Sequence, residues 1–206
     1  MVVRQETHPG AGAGAPPPGF RAAVESMRAA PLRPEVLCEE MPAPQRIAPH
    51  AFALSGDVTV DGTDVGTGRI ILLHDPDGND AWDGTFRCVA YARADIDHEL
   101  GADPMLAAVG WSWLTEALEA HAADYHAASG TVTCVTTESF GGMAEEAGTA
   151  QVEIRASWTP AVDDDGALDM TAHVEAWGEL LCTAVGLPPV PEGVTAIPSR
   201  RGQRGT

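Results

Sequence analysis

The chain contains no lysine; all 12 of its basic residues are arginines. That absence excludes Schiff-base chemistry, pyridoxal phosphate attachment and the lysine of a phosphate-binding loop. Bases are scarce as well: 30 acids against 12 arginines leave a net charge of −18 over 206 residues. Nucleic acid and anionic lipid both require a cationic face that releases counterions, so neither is an expected partner of the folded domain. No run reaches the ~20 apolar residues of a membrane span, and the Gly/Ala/Pro-rich N-terminus lacks an apolar stretch of signal length. The four cysteines (Cys38, Cys88, Cys134 and Cys182) form no Cys-x-x-Cys pair and stand about fifty residues apart, which fits no zinc pattern. They read as small hydrophobes in a reducing cytosol. The seven histidines form no His-x-x-x-His or His-Glu-x-x-His array, and Gly-x-Ser-x-Gly is missing. No metal or other cofactor is implied.

What is present suffices for one domain with a real core, since 44% of the residues are hydrophobic. Residues 1–19 are Gly/Ala/Pro-rich, and 187–206 pass through Pro188, Pro189, Pro191 and Pro198 to Arg200, Arg201 and Arg204. Both ends read as disordered around a domain spanning 20–186. Without the ends, the folded part is still more acidic, near −20.

Phe20, Val24 and Met27 recur at helical spacing up to Pro31. Arg33–Glu40 reads as an extended edge segment. In His50–Val60, Phe52, Leu54 and Val58 alternate, with Gly56 placed as a bulge. Arg69–Leu73 is apolar on both faces, as in a central strand. Asp75–Gly84 reads as a turn-rich loop. Thr85–Ala94 places Phe86, Cys88, Ala90 and Ala92 on one face and Arg87, Val89, Tyr91 and Arg93 on the other. Asp103-Pro104 marks a helix start, Thr131–Thr137 a Thr/Val-rich strand, Gln151–Thr159 an alternating strand, and Met170–Val185 a last helix that Gly186 ends. The expected fold is α+β: an antiparallel or mixed sheet of five to six strands with helices packed on one face, in the order α-β(3-4)-α-β2-α.

Several stretches together carry a family resemblance. They include Ala43-Pro-Gln-Arg-Ile-Ala-Pro49, Gly68-Arg-Ile-Ile-Leu-Leu-His-Asp-Pro76, Trp82-x-Gly-Thr-Phe-Arg87, Trp111-Ser-Trp-Leu, Glu153-Ile-Arg-Ala-Ser-Trp-Thr-Pro160 and Gly186-Leu-Pro-Pro. On these the chain resembles the actinobacterial family called domain of unknown function 3000, from about Phe20 to Pro189. The resemblance implies a bacterial, cytoplasmic setting and brings no activity, substrate or cofactor. The element order is also similar to that of the secretion-chaperone-like fold, whose helix-flanked antiparallel sheet binds peptide or protein; topology alone does not fix function.

The residues themselves offer three sites. In His74-Asp-Pro-Asp-Gly-Asn-Asp80, oxygen donors alternate as in a calcium loop, but Gly78 falls at loop position four and Phe86 at position twelve. A hairpin turn explains the acids better. Trp82 in that loop either folds back as a lid or stays exposed as a contact, and Trp111 sits at the edge of its helix's apolar arc, a boundary or patch residue. Arg69, Arg87, Arg93 and Arg155 all lie in expected strands, either as partners of cross-strand carboxylates on a solvated face or as a cationic groove for an anionic ligand or acidic peptide. The reading is therefore a non-catalytic, protein-binding domain with Trp82, Trp111, Arg69, Arg87, Arg93, Arg155, His74 and Asp75 as candidate contacts and an unidentified protein partner. The alternative is a small-molecule-binding or hydrolytic enzyme built on the His74–Asp83 loop, which requires His74, an acid and an arginine to converge in a sheltered cleft.

Overall fold

Alternating side chains decide how this chain folds. In the computed structural model, which describes residues 15–145 and 147–189, each alternating segment becomes a strand, with the apolar set turned to one side. The helix α1 (Pro18–Ala29) is followed by β1 (Val36–Glu40), β2 (His50–Val60), β3 (Thr63–Asn79) and β4 (Gly84–Ile96). A single-turn helix α2 (His98–Gly101) leads into α3 (Leu106–Ala120). Then come β5 (Tyr125–Thr137), β6 (Thr149–Pro160) and α4 (Thr171–Ala184). All pairings are antiparallel, and the strand order is β1-β2-β3-β4-β6-β5. The fold is α+β, an open six-stranded sheet with α1, α3 and α4 against it, as the sequence pattern implies. Among the described residues no helix is long and apolar enough to cross a membrane.

Small residues under large ones form the covered face. Gly56 and Gly68 stand opposite each other on β2 and β3, and the ring of Trp177 from α4 seats above them. A Cβ at Gly56 would fall 2.6 Å from that ring; one at Gly68 would fall 2.5 Å from Leu181 and from the Tyr91 carbonyl. The Trp177 indole donates to the same carbonyl, 3.3 Å away. On β4, Ala90, Ala92 and Ala94 continue the floor, and Trp158 of β6 is fully buried beside them. Such close approach of helix and sheet needs side chains that are short or missing on the strand side.

Several local expectations are corrected. Gly56 is not a bulge; the irregularity lies between Val58 and Thr59, and the glycine is there to admit Trp177. The segment read as a loop from Asp75 is largely strand, because β3 continues to Asn79 past an irregularity that starts after His74. Only residues 80–83 form the turn, with Trp82 N–H donating to the Asn79 carbonyl. Pro18 and Gly19, read as disordered, begin α1. Leu187 N–H donates to the Cys182 carbonyl, and Arg33 Nη1 donates to the Pro188 carbonyl, so the described start of the C-terminal segment is tied down. The remaining disorder expectations, for 1–14 and 190–206 with their terminal arginines, lie outside the described residues. Cys88 and Cys182 are buried and Cys38 half-buried, but Cys134 is exposed, because β5 is an edge strand.

Candidate binding face

Opposite the helices, no helix layer covers the sheet among the described residues. The register sets one row across five strands there: Ser55, Arg69, Tyr91, Arg155 and Thr131. The next row holds Asp57, Thr67, Arg93, Glu153 and Thr133. Because side chains alternate along a strand, the arginines expected on this face reach it from three different strands.

Tyr91 is the centre. The Arg69 guanidinium lies over one part of its ring at 4.9 Å from the centroid, and that of Arg155 approaches at 5.6 Å. Two cations against one phenol are held by the ring's negative face. The Tyr91 hydroxyl donates to Glu153 Oε2 at 3.0 Å, and Arg155 Nε donates to Glu153 Oε1 at 2.6 Å. That arginine holds the Glu153 carboxyl below the usual carboxylate range, with the Tyr91 hydrogen bond adding to the effect. Burial and the neighbouring Glu153 push the Tyr91 phenol up. Arg155 is thus internally neutralised. Arg69 and Arg93, both exposed, have no carboxylate within ion-pair distance among the described residues.

Arg87 behaves differently. It is only 7% exposed and faces neutral acceptors: the Ala127 carbonyl at 2.9 Å, Thr159 Oγ1 at 3.0 Å, Ser157 Oγ at 2.7 Å and the Ser157 carbonyl at 3.2 Å. Ser129 Oγ completes the set at 3.3 Å. Desolvation pulls its pKa down. Strand alternation predicts a solvated arginine at this position. The β5 register shift between His126 and Ser129, with Ala127 in the left-handed region at φ 50°, instead folds backbone over it. Arg87 is a clamp joining β4, β5 and β6.

His74 lies on the covered face, 7% exposed, stacked on Phe86 at 4.2 Å and on Phe20 at 5.8 Å. Its Nδ1 is 3.0 Å from the Thr85 carbonyl, to which it donates, and burial lowers its pKa. Asp75, the next residue of β3, alternates to the other side, and Arg87 is across the sheet from His74. The three groups that a site in the His74–Asp83 loop needs do not converge. Asp77 N–H bonds Asp75 Oδ1 at 3.2 Å and Ala81 N–H bonds Asn79 Oδ1 at 3.0 Å, the local turn chemistry of Asx residues. Among the described residues no group of three or more His, Cys, Asp or Glu is placed to hold a metal ion.

Trp82 is half-exposed, and its ring stands outside the core cluster; its carbonyl accepts from Thr159 Oγ1. Trp111 packs partly buried against the core, with its ring against Gly130. Beside the start of β5 and the end of β6 lies a shallow cavity of about 540 Å³, lined by Asp124, Asp163, Asp169, His173 and Glu175, which no sequence motif announces. Sequence reasoning does not single out Tyr91 and Glu153 either, although the face they share with the arginines is readable from alternation.

A family model described as "Protein of unknown function (DUF3000)" matches residues 16–195. No curated protein and no solved structure matches the chain.

Proposed function

The chain belongs to the DUF3000 family, domain of unknown function 3000, and from its own geometry we propose that it is a non-catalytic binding domain whose helix-free sheet face takes an acidic protein segment. The observation that carries this reading is the Arg69–Tyr91–Arg155 row. In a chain of net charge −18, a sheet face that gathers Arg69, Arg93 and Arg155 beside one aromatic ring, against Asp57, Asp95 and Glu153, brings the charge locally into balance and leaves Arg69 and Arg93 without an ion-pair partner among the described residues. Arg and Tyr are enriched among residues that dominate binding energy, and a planar guanidinium pairs with carboxylates in a directional way. The overall negative charge disfavours a polyanion such as nucleic acid, which would meet repulsion away from the patch. A short acidic segment meets only the patch. Trp82 and Asp75 lie at the hairpin end of the same two central strands and would frame such a segment, whereas the buried Arg87 and His74 support the face from within.

The test is a library of short acidic peptides titrated against the full chain. Binders should shift the backbone amides of residues 67–71 and 89–93 and weaken by about tenfold or more in the Arg69→Ala/Arg93→Ala variant. Equal binding by that variant, or shifts confined to the helical side, would sink the reading.

A further inference from the structure

The two edges of the sheet are finished differently. β1 is five residues long, ends on Glu39 and Glu40, and is flanked by Pro34 and Pro42. A short, charged, proline-bounded strand is how proteins block pairing with another chain. β5 has none of these protections. It runs for 13 residues, pairs regularly with β6 from Ser129 to Thr137, and has no strand on its other side among the described residues. From Ala127 to Thr137 it carries neither a charge nor a proline, only small, β-branched and Thr side chains, nearly all of them exposed. The strand is also firmly mounted, because Arg87 donates to the Ala127 carbonyl and to Ser129 Oγ at its start.

Exposed apolar side chains gather around this edge, with the acids Glu99, Asp103 and Glu138 standing among them. Of the nine large exposed apolar residues among the described ones, six (Leu100, Met105, Val109, Val135, Phe140 and Met143) lie on α2, at the start of α3, on β5 or in the turn that follows. No arginine occurs between Arg93 and Arg155.

We propose that β5 pairs antiparallel with the β5 of a second copy of this chain, joining two six-stranded sheets into one of twelve. A strand edge paired with itself across a two-fold axis is complementary by symmetry. Charge argues for a second copy over a basic or acidic partner. Two molecules of net charge −18 repel over most of their surfaces, and the strand that would pair, residues 127–137, is itself free of that charge. An acidic partner finds no cation on this edge, and a basic one finds no carboxylate along the paired strand.

The size is also adequate. Nine residues of regular ladder span roughly 30 Å, and a sheet edge plus its helix layer is roughly 20 Å deep. That product, on the order of 600 Å² per copy, reaches the lower end of specific interfaces. The two-fold axis of such a pair stands perpendicular to the sheet, so both Tyr91 faces point the same way. The dimer does not depend on those faces binding anything.

The test is sedimentation of the full chain from about 1 to 200 μM, combined with hydrogen exchange at both ends of that range. The mass should rise from 21.5 kDa toward twice that value, and amides within 129–137 should slow with concentration while those of β1 do not. Thr131→Glu/Val135→Glu places like charges along the paired edge. It should weaken association about tenfold or more, with an unchanged circular dichroism spectrum; Leu37→Glu on the opposite edge should not. A chain that stays monomeric throughout, or a dimer whose β5 amides exchange as in the monomer, would overturn the proposal. So would a β5 protected only by a strand of a different protein. The exchange measurement on the unmodified chain decides the matter whether or not the Glu variant folds.

Discussion

The same four central strands, β2, β3, β4 and β6, present two faces that obey opposite rules. On the helix side, under Trp177, the strands supply Gly56, Gly68 and Ala92 while the bulk comes from above in Trp177, Leu181 and Val185, and around that floor they add buried apolar residues such as Ile70, Leu72, Phe86 and Trp158. On the open side the strands carry the long residues themselves, and those residues satisfy one another: Arg155 with Glu153, Tyr91 with both, Arg87 with five neutral oxygens. Stability is therefore concentrated on one face, and the proposed recognition chemistry lies on the other. Substitutions should separate the two, with large losses of stability on the covered face and small ones on the open face.

The largest effect belongs to Trp177. Its ring is fully buried over Gly56 and Gly68, so Trp177→Ala should cost about 3–5 kcal/mol in urea unfolding. The glycine floor tests the same joint from below. Gly68→Ala puts a Cβ 2.5 Å from the Tyr91 carbonyl, a backbone atom with little room to move, and overpacking of this kind costs about 1–3 kcal/mol. A variant at either site that unfolds like the parent would show that α4 does not anchor the sheet.

Acidification should weaken the covered face. The Trp158 indole N–H donates to His173 Nδ1 at 3.2 Å, so that nitrogen must be unprotonated, and His173 is 2% exposed. Burial lowers its pKa to about 4, partly offset by Asp124 and Asp169. An unfolded histidine titrates near 6.5. Between the two values the unfolded chain binds the extra proton, so its contribution to stability is complete above about pH 6.5 and is lost as pH falls toward 4. The loss approaches ~3 kcal/mol. His74, also lowered by burial, acts in the same direction. Urea unfolding over this range should show the slope, and His173→Gln should flatten it while keeping an acceptor for Trp158. An identical slope in the variant would assign the effect elsewhere.

How much of the fold and of the face is legible in the sequence follows from which signals are local. Alternation in Phe86–Ala94 and Val152–Trp158 is local, so the strands, their faces and the helix cover can be read directly. Gly56 reads wrongly as a bulge because its reason, the Trp177 ring, is more than a hundred residues away. Asp75–Asn79 reads wrongly as a loop because Asp-Pro and Asp-Gly signal a turn, whereas pairing of Asn79 with Gly84 of β4 carries the strand farther. Arg87 is expected in solvent because nothing near it in the chain announces the shifted backbone at Ala127 that covers it. The grouping of Arg69 with Tyr91 and Arg155 needs the order of strands, which places β6 rather than β5 beside β4. The charge-free run at 127–137 is plain in the sequence; its meaning depends on knowing that β5 is an edge.

The open face has one exception to its own rule. Arg87 sits there but belongs energetically with the core. Arg87→Met preserves much of the apolar stem and leaves the Ser157, Thr159 and Ala127 oxygens without their donor, at about 1–3 kcal/mol. Arg87→Lys should recover little, since a single ammonium cannot span acceptors that two guanidinium nitrogens now share. The loss should appear first as faster hydrogen exchange in β5, the strand that the clamp secures.

Arg69 provides the opposite case and the smallest effect. Its guanidinium is exposed and touches the ring of Tyr91 without an ion-pair partner among the described residues. Arg69→Ala therefore removes at most one exposed cation–π contact, about 0.5–1 kcal/mol, and the melting curve should barely move. If the open face is built for recognition, the same substitution should still weaken an acidic peptide about tenfold. A large fall in stability with no change in binding would place Arg69 with Arg87 as a structural residue, and the division between the faces would then fail at its centre, on the Tyr91 ring.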